Sequence, residues 1–211
     1  MAETHISVIL DRSGSMEVIR DDTIGGFNNF LEEQKKLPDK ATLTLVQFDS
    51  QDPHEVVCHF KALAEVRALT AATFVPRAAT PLLDALGRGI NDLESSIAKL
   101  PEKKRPGKVM MVVITDGQEN SSREFSKKQV EKMIKDRSEK DDWQFVFLSS
   151  DMSAVSDAHG LGFAAGSTRM FAKNVAGVKD AWSSLAIASS RYRSGASKKA
   201  DFSDIPDEPE P

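Results

Sequence analysis

The sequence predicts an α/β fold: a Rossmann-like, doubly wound and mostly parallel six-stranded sheet with one antiparallel edge strand and helices on both faces. Two observations lead to this prediction. Apolar, strand-like runs alternate with helical patterns along the chain, and the run KVMMVVIT at 108–115 has no polar alternate face. A strand that is apolar on both sides is typical of the centre of a parallel sheet that is covered by helices on both faces.

Five strong strand patterns and one weak one supply the sheet. They share β-branched and large apolar residues and lie at 5–10, 42–48, 56–60, 108–115, 143–149 and, more weakly, 168–171. The connection QDPHE between the second and third runs is too short for a helical crossover. This pair is therefore predicted to be antiparallel, with the third strand at the edge of the sheet.

Apolar residues at helical spacing predict four longer helices between and after the strands. Their stripes are Ile24, Phe27, Phe30 and Leu31, then Leu82, Leu83, Leu86, Ile90, Leu93 and Ile97, then Phe125, Val130, Met133 and Ile134, and last Val175, Val178, Trp182, Leu185 and Ala186. A short helix is expected to end near Gly160, and 62–79 is interpreted as a short helix followed by a loop. The pair Gly25–Gly26 indicates close helix packing, since the spacing of a nucleotide-binding loop is absent.

Composition limits the class of protein. The 211 residues predict one domain at 1–194 and a disordered acidic tail at 195–211, because SGASKKADFSDIPDEPEP is poor in apolar residues and rich in proline and acids. A net charge of -4 disfavours a dedicated nucleic-acid binder. The single cysteine, Cys58, and the lack of a long apolar segment predict a cytoplasmic protein without a membrane partner.

Oxygen-bearing side chains follow the strand patterns at three places. Asp11, Ser13 and Ser15 leave the first strand at alternate positions, Thr80 precedes the long helix predicted from Pro81 to about Leu100, and Asp116 follows KVMMVVIT. In a doubly wound sheet, ligands bind beyond the carboxyl ends of the strands where the strand order reverses. Two carboxylates with hydroxyls suit a small hard cation, Mg²⁺ first and Mn²⁺ second.

Each of these segments also has a purely structural interpretation. The serines and Thr80 could cap the helices that follow them, and Asp116–Gly117 could be a simple turn. A metal site is favoured over these structural interpretations, because all three segments carry oxygen ligands and all are expected at one edge of the sheet. The histidines do not have zinc-binding spacing and are scattered at His5, His54, His59 and His159.

The segments DRSGS, ATPLLDALG and ITDGQEN, taken in this order, resemble the von Willebrand factor type A (vWA) domain and its metal-ion-dependent adhesion site (MIDAS). The family's pattern is Asp-x-Ser-x-Ser, then Thr, then Asp, and the resemblance covers residues 4–192. It implies that a cation is surrounded, directly or through water, by Asp11, Ser13, Ser15, Thr80 and Asp116. It also implies that the remaining coordination position is left to an acidic residue of a partner protein.

Two features qualify the resemblance. The threonine loop reads RAATPL, where many members have glycine before the threonine, and Thr73 is a weaker rival because only Thr80 directly precedes a helix. The chain lacks the disulfides of extracellular members and looks more like the stand-alone intracellular versions found in microbes and their viruses.

The predicted function is a divalent-cation-dependent protein-binding module, not an enzyme, whose partner is selected by the loops at 118–123 and 50–54. An adaptor role in a larger complex is a variant of this hypothesis. The alternative is a metal-dependent hydrolase or phosphatase with Asp11 as nucleophile, which is disfavoured because Ser13 stands where such enzymes usually have a second acid. In a further hypothesis the tail acts as an internal ligand through Asp204, Asp207, Glu208 or Glu210, although a solubilising tail is favoured.

Overall fold

The computed structural model describes residues 3–206 of the chain. The strands are β1 (Thr4–Asp11), β2 (Ala41–Phe48), β3 (Glu55–Ala62), β4 (Lys108–Thr115), β5 (Gln144–Ser149) and β6 (Thr168–Met170). They form one six-stranded sheet in the order β3-β2-β1-β4-β5-β6. All neighbouring pairs are parallel except β2 and β3, which are antiparallel. The predicted fold class, with its antiparallel edge strand, is confirmed.

The helices cover both faces of this sheet. They are α1 (Arg20–Lys35), α2 (Leu82–Lys99), α3 (Lys127–Asp141), α4 (Met152–Gly160) and α5 (Val175–Ser194). Because side chains alternate along a strand, Ile6, Val8 and Leu10 of β1 pack with α1 and α5, whereas Ile9 packs with α2 on the opposite face. Helices on both faces explain why KVMMVVIT has no polar side, since every residue from Val109 to Thr115 is buried.

Short 3₁₀ turns fill several connections. They lie at Gly14–Ile19, Leu63–Glu65, Glu102–Lys104 and Ala165–Ser167. The helix predicted within 62–79 is therefore only one turn long, and the rest of that segment is irregular. Within the described residues, none of the helices has the length and apolar character needed to cross a membrane.

The C-terminal segment differs from the predicted disordered tail. Ala200, Phe202 and Ile205 are buried in the core on the side of α1 and α5. The backbone N–H of Phe202 donates to the carbonyl of Gly166 at 2.7 Å, and Ser167 Oγ donates to the carbonyl of Ala200 at 3.0 Å. A few apolar residues at suitable spacing thus anchor a polar segment to the fold, and the predicted disorder does not apply to 195–206. The remainder of the predicted tail, 207–211, lies outside the described residues.

Candidate metal centre

The candidate site lies where the strand order of the sheet reverses. β1 has β2 on one side and β4 on the other, so the chain winds in opposite directions from this point. Leu10 of β1 is paired with Ile114 of β4, which brings the next residues, Asp11 and Thr115, to the same edge of the sheet. A cleft between the loops that leave two such strands is the usual ligand site of a doubly wound sheet.

Four of the five predicted site residues are joined by a continuous set of hydrogen bonds. The backbone N–H of Ser13 donates to Asp11 Oδ1 at 2.6 Å, and the hydroxyls of Ser13 and Ser15 lie 3.1 Å apart. Ser15 Oγ then donates to Asp116 Oδ1 at 2.7 Å. Side chains from two strand ends, separated by about a hundred positions in the chain, thus converge through their oxygen atoms.

Thr80 lies beside this set and is held through its backbone. Its N–H donates to Asn120 Oδ1 at 2.9 Å, and its carbonyl accepts from the N–H of Asn120 at 3.1 Å. Two residues earlier, the carbonyl of Ala78 accepts from the N–H of Gly14 at 3.0 Å. The threonine is 3% exposed and stands between the serine segment and the β4–α3 loop. The rival, Thr73, is exposed and hydrogen-bonded to Thr70 in a local turn.

Two further residues contact the site, and the sequence interpretation assigned neither of them a role. Thr115 is fully buried, and its Oγ1 donates to Asp11 Oδ2 at 2.6 Å, which fixes the second oxygen of that carboxylate. Lys173 Nζ lies 2.6 Å from Asp116 Oδ2. The position of Thr115 at the end of KVMMVVIT, directly before Asp116, could have indicated that its side chain lies at the site. Lys173 follows the weakest strand pattern, so its place at the site could not be recognised from the sequence.

Burial of Asp11 dominates the electrostatics of the site. Its carboxylate has no exposed surface. Burial raises the pKa of Asp11 to about 7, even though hydrogen bonds from Thr115 and Ser13 act to lower it, and the nearby charge of Asp116 raises it further. A negative charge at this position is therefore costly without a positive charge close by.

The donor set fits a small divalent cation. Asp11 and Asp116 bring carboxylate oxygens together with the hydroxyl oxygens of Ser13 and Ser15, all of which are hard ligands, and the neighbouring Thr80 carries a further hydroxyl. Among residues 3–206 there is no cluster of three or more His, Cys, Asp or Glu side chains that could hold a metal. Ligands beyond the two carboxylates would therefore be hydroxyls and water, as suits Mg²⁺ or Mn²⁺.

A buried ion-pair network supports the loops around the site. The guanidinium of Arg12, which stands between Asp11 and Ser13 in the sequence, donates from Nε and Nη2 to Asp49 Oδ2 at 2.9 and 2.6 Å. Arg77 Nε reaches the same oxygen at 3.0 Å. Although burial acts to raise the pKa of Asp49, these hydrogen bonds outweigh it and hold the pKa below its usual value. The network ties the β2–β3 loop to the segment that leads to Thr80.

The β4–α3 loop is fastened to the start of α2 by two carboxylates. Asp84 accepts from the backbone N–H groups of the three residues 123–125 at 2.8 to 2.9 Å. Glu119 accepts from the N–H of Leu83 at 2.9 Å. Between this loop and the β2–β3 loop is a cavity of about 510 Å³, lined in part by Ser50, Pro53, Ala79, Pro81, Ser121 and Arg123. The two loops predicted to select a partner thus border one cleft next to Thr80.

No protein-family model matches the sequence, and no curated protein is similar to it. Solved structures nevertheless share its fold. One is described as von Willebrand factor type A from Catenulispora acidiphila, with a TM-score of 0.59, 14% identity and coverage of 90% of this chain and 43% of that one. The pilus adhesin SpaC from Lactobacillus rhamnosus GG has a TM-score of 0.69 and 13% identity over 92% of this chain and 31% of its own.

A third similar structure is described with a metal. It is proximal thread matrix protein 1 from the mussel byssus with a zinc-occupied MIDAS motif, with a TM-score of 0.57, 14% identity and coverage of 90% of this chain and 46% of that one. The chain spans less than half the length of each of these three proteins. Because the sequence identities are only 13 to 14%, these similarities are evidence for a shared fold alone. The chain therefore has the fold of a von Willebrand factor type A domain.

Proposed function

We propose that this chain is a divalent-cation-dependent protein-binding module. Five side chains hold Mg²⁺ or Mn²⁺, namely Asp11, Ser13, Ser15, Thr80 and Asp116. The observation that carries the proposal is the convergence of two buried carboxylates and two serine hydroxyls at the point where the strand order reverses. The zinc-occupied MIDAS of the mussel protein supports a divalent metal in a site of this kind.

The partner protein supplies an Asp or Glu side chain. When bound, the cation supplies positive charge and a coordination position that a partner carboxylate can take. Two carboxylates in the protein only balance a divalent charge, so an acidic group of the partner is still attracted. The cleft between the β2–β3 and β4–α3 loops supports this proposal, because it offers a shaped surface next to the site. Its lining includes Arg123 as well as Arg88, which is paired with Glu124 at 2.6 Å.

We propose a binding role and no catalytic one. Both oxygens of Asp11 accept hydrogen bonds from the chain, Oδ1 from Ser13 and Oδ2 from Thr115. Each of these oxygens keeps a second lone pair for a cation, and the chain has Ser13 where an aspartate nucleophile usually has a second acid, which supports a ligand role for Asp11. The single cysteine, Cys58, is half-buried and supports the further proposal of a reducing, cytoplasmic location.

Replacement of Asp11 tests the proposal. Asp11→Asn keeps the shape of the side chain and removes one ligand charge, so we expect Mn²⁺ affinity in calorimetry to fall by at least about tenfold. Capture of partner proteins from a lysate of the native cell should also be lost, as it should be when EDTA is added to the wild-type protein. Because burial makes the charge of Asp11 costly, the variant should remain folded in the absence of metal.

Asp141→Asn is the matched control, since Asp141 is an exposed residue at the end of α3 that is paired with Arg137 and carries the same charge. It should bind Mn²⁺ and capture partners as the wild-type protein does. Equal metal affinity in the wild-type protein and Asp11→Asn would contradict the metal site. An unchanged set of captured proteins in EDTA would contradict the bridging role of the metal. Hydrolysis of a generic phosphate ester that is lost in Asp11→Asn would favour the enzyme alternative.

A further inference from the structure

Lys173 places a positive charge of the chain itself on one of the two site carboxylates. Its Nζ lies 2.6 Å from Asp116 Oδ2, while Ser15 Oγ donates to the other oxygen, Oδ1. The Asp116 side chain has no exposed surface, whereas 35% of the Lys173 side chain is exposed. The carboxylate of Asp116 therefore contacts Ser15 through one oxygen and the ammonium group of the partly exposed Lys173 through the other.

The backbone around Lys173 is anchored independently of this contact. The N–H of Phe171 donates to the carbonyl of Ser149 at 3.0 Å, and the N–H of Asn174 donates to the carbonyl of Ala172 at 2.8 Å. Asn174 Oδ1 also accepts from the N–H of Gly177 at 2.8 Å, which caps α5. The turn is tight, because a Cβ on Gly177 would fall 2.2 Å from the carbonyl oxygen of Ala172. Movement of the lysine head group thus requires only rotation of its own side chain.

We propose that Lys173 is an internal cation that competes with the divalent ion for Asp116 and sets the affinity of the site for metal. This inference rests on the proposed function, because it concerns the same carboxylate. A monovalent and a divalent cation on one carboxylate repel each other strongly at such short range. The lysine is flexible and partly exposed, so its head group can move into water when metal enters. At low metal concentration the same ammonium compensates the buried charge of Asp116.

Calorimetric titration with Mn²⁺ tests this competition. Lys173→Gln should bind Mn²⁺ about tenfold more tightly than the wild-type protein, since the metal no longer displaces a cation. Lys173→Arg retains the charge and should bind close to the wild-type affinity. Lys179→Gln is the matched control, because Lys179 is an exposed residue of α5 and its loss changes the net charge equally. It should leave the affinity unchanged.

Thermal unfolding supplies a second measurement. In EDTA, Lys173→Gln should melt at a lower temperature than the wild-type protein, because Asp116 loses its counter-charge, and saturating Mn²⁺ should remove most of that difference. Equal or weaker Mn²⁺ binding by Lys173→Gln, with binding still lost in Asp11→Asn, would overturn the role of Lys173 and leave the proposed function standing. The absence of Mn²⁺ binding in the wild-type protein and every variant would overturn both.

Discussion

Buried charges are compensated by different means in different parts of this protein. Asp49 is paired with Arg12, and Arg193 Nε lies 3.0 Å from Asp39 in a pair that is almost fully buried. Among residues 3–206, Asp11 instead has hydroxyl and backbone N–H donors around it, and its pKa is raised by burial. The charge of Asp11 is therefore left uncompensated by the described part of the protein itself, whereas Asp116 has Lys173 beside it, so a bound divalent cation would stabilise Asp11 most directly.

Because His5 is buried, we expect the folded protein to lose stability in acid. This residue of β1 is fully buried, its Nδ1 lies 2.8 Å from Thr42 Oγ1, and its ring stacks on Phe60 with a centroid separation of 3.8 Å. Burial, aided by the charge of His59, lowers the pKa of His5 to about 3. Between pH 6.5 and that value the unfolded chain takes up a proton and the folded chain does not. Stability therefore falls by roughly 1 kcal/mol for each unit of pH decrease in this window.

Urea unfolding between pH 7 and pH 4.5 measures this effect. His5→Gln should lose less stability across the range than the wild-type protein, because its side chain does not titrate. His159→Gln, which replaces an exposed histidine at the end of α4, should retain the wild-type slope. Identical slopes in all three proteins would show that His5 does not control the acid response.

At the scale of elements, most boundaries could be predicted because the local pattern is strong. β4 at Lys108–Thr115 coincides with the run KVMMVVIT, and α2 at Leu82–Lys99 follows its apolar stripe. The segment 62–79 was less predictable, since Leu63, Val66 and Leu69 are buried although only one 3₁₀ turn forms there. Apolar residues in such an irregular segment are fixed by tertiary packing, which has no local period in the sequence.

The contact between α1 and α5 depends on a glycine. A Cβ on Gly26 would fall 2.0 Å from Trp182 Cδ1, whereas a Cβ on Gly25 would meet nothing within 4 Å. Gly26→Ala should therefore destabilise the protein by about 1 to 3 kcal/mol, because the indole ring must move out of a packed core. Gly25→Ala should stabilise it by about 0.5 to 1 kcal/mol, since alanine is the better helix former.

Urea unfolding monitored by tryptophan fluorescence distinguishes these two alanine variants. The prediction requires opposite signs for neighbouring residues of one helix, which helix propensity alone cannot produce. Equal changes in the free energy of unfolding would mean that the approach of Gly26 to Trp182 does not constrain the packing of α1 against α5.

At the scale of the whole molecule, the site is a product of topology. Asp11 and Asp116 could be predicted as neighbours because both follow apolar strand runs, and parallel strands end at the same edge of the sheet. The contact of Lys173 with Asp116 could not be predicted, because it depends on the position of β6, two strands away from β4 in the sheet. A strand of only three residues leaves a weak pattern in the sequence. The site contact that the sequence did not predict is therefore made by a residue that follows the shortest strand of the sheet.

The C-terminal segment provides a test of how the far edge of the sheet is closed. Phe202 is 6% exposed, its backbone N–H donates to Gly166 just before β6, and the guanidinium of Arg169 lies 5.8 Å from its ring centre. Arg169 is in turn paired with Asp180 of α5 at 3.0 Å. Phe202 is therefore the aromatic member of the apolar set that anchors this polar segment, and it links β6 to the helix covering it.

Phe202→Ala should thus lower the free energy of unfolding by about 3 kcal/mol, as expected for removal of a buried aromatic ring. Lys198→Ala, in the exposed part of the same segment, should change it by less than about 0.5 kcal/mol. Urea unfolding measures both values, and limited proteolysis should cut Phe202→Ala within 195–206 faster than the control, because the segment loses its anchor. If both variants unfold and are cut alike, this segment does not contribute to the fold, and the disordered tail expected from its composition is the better description.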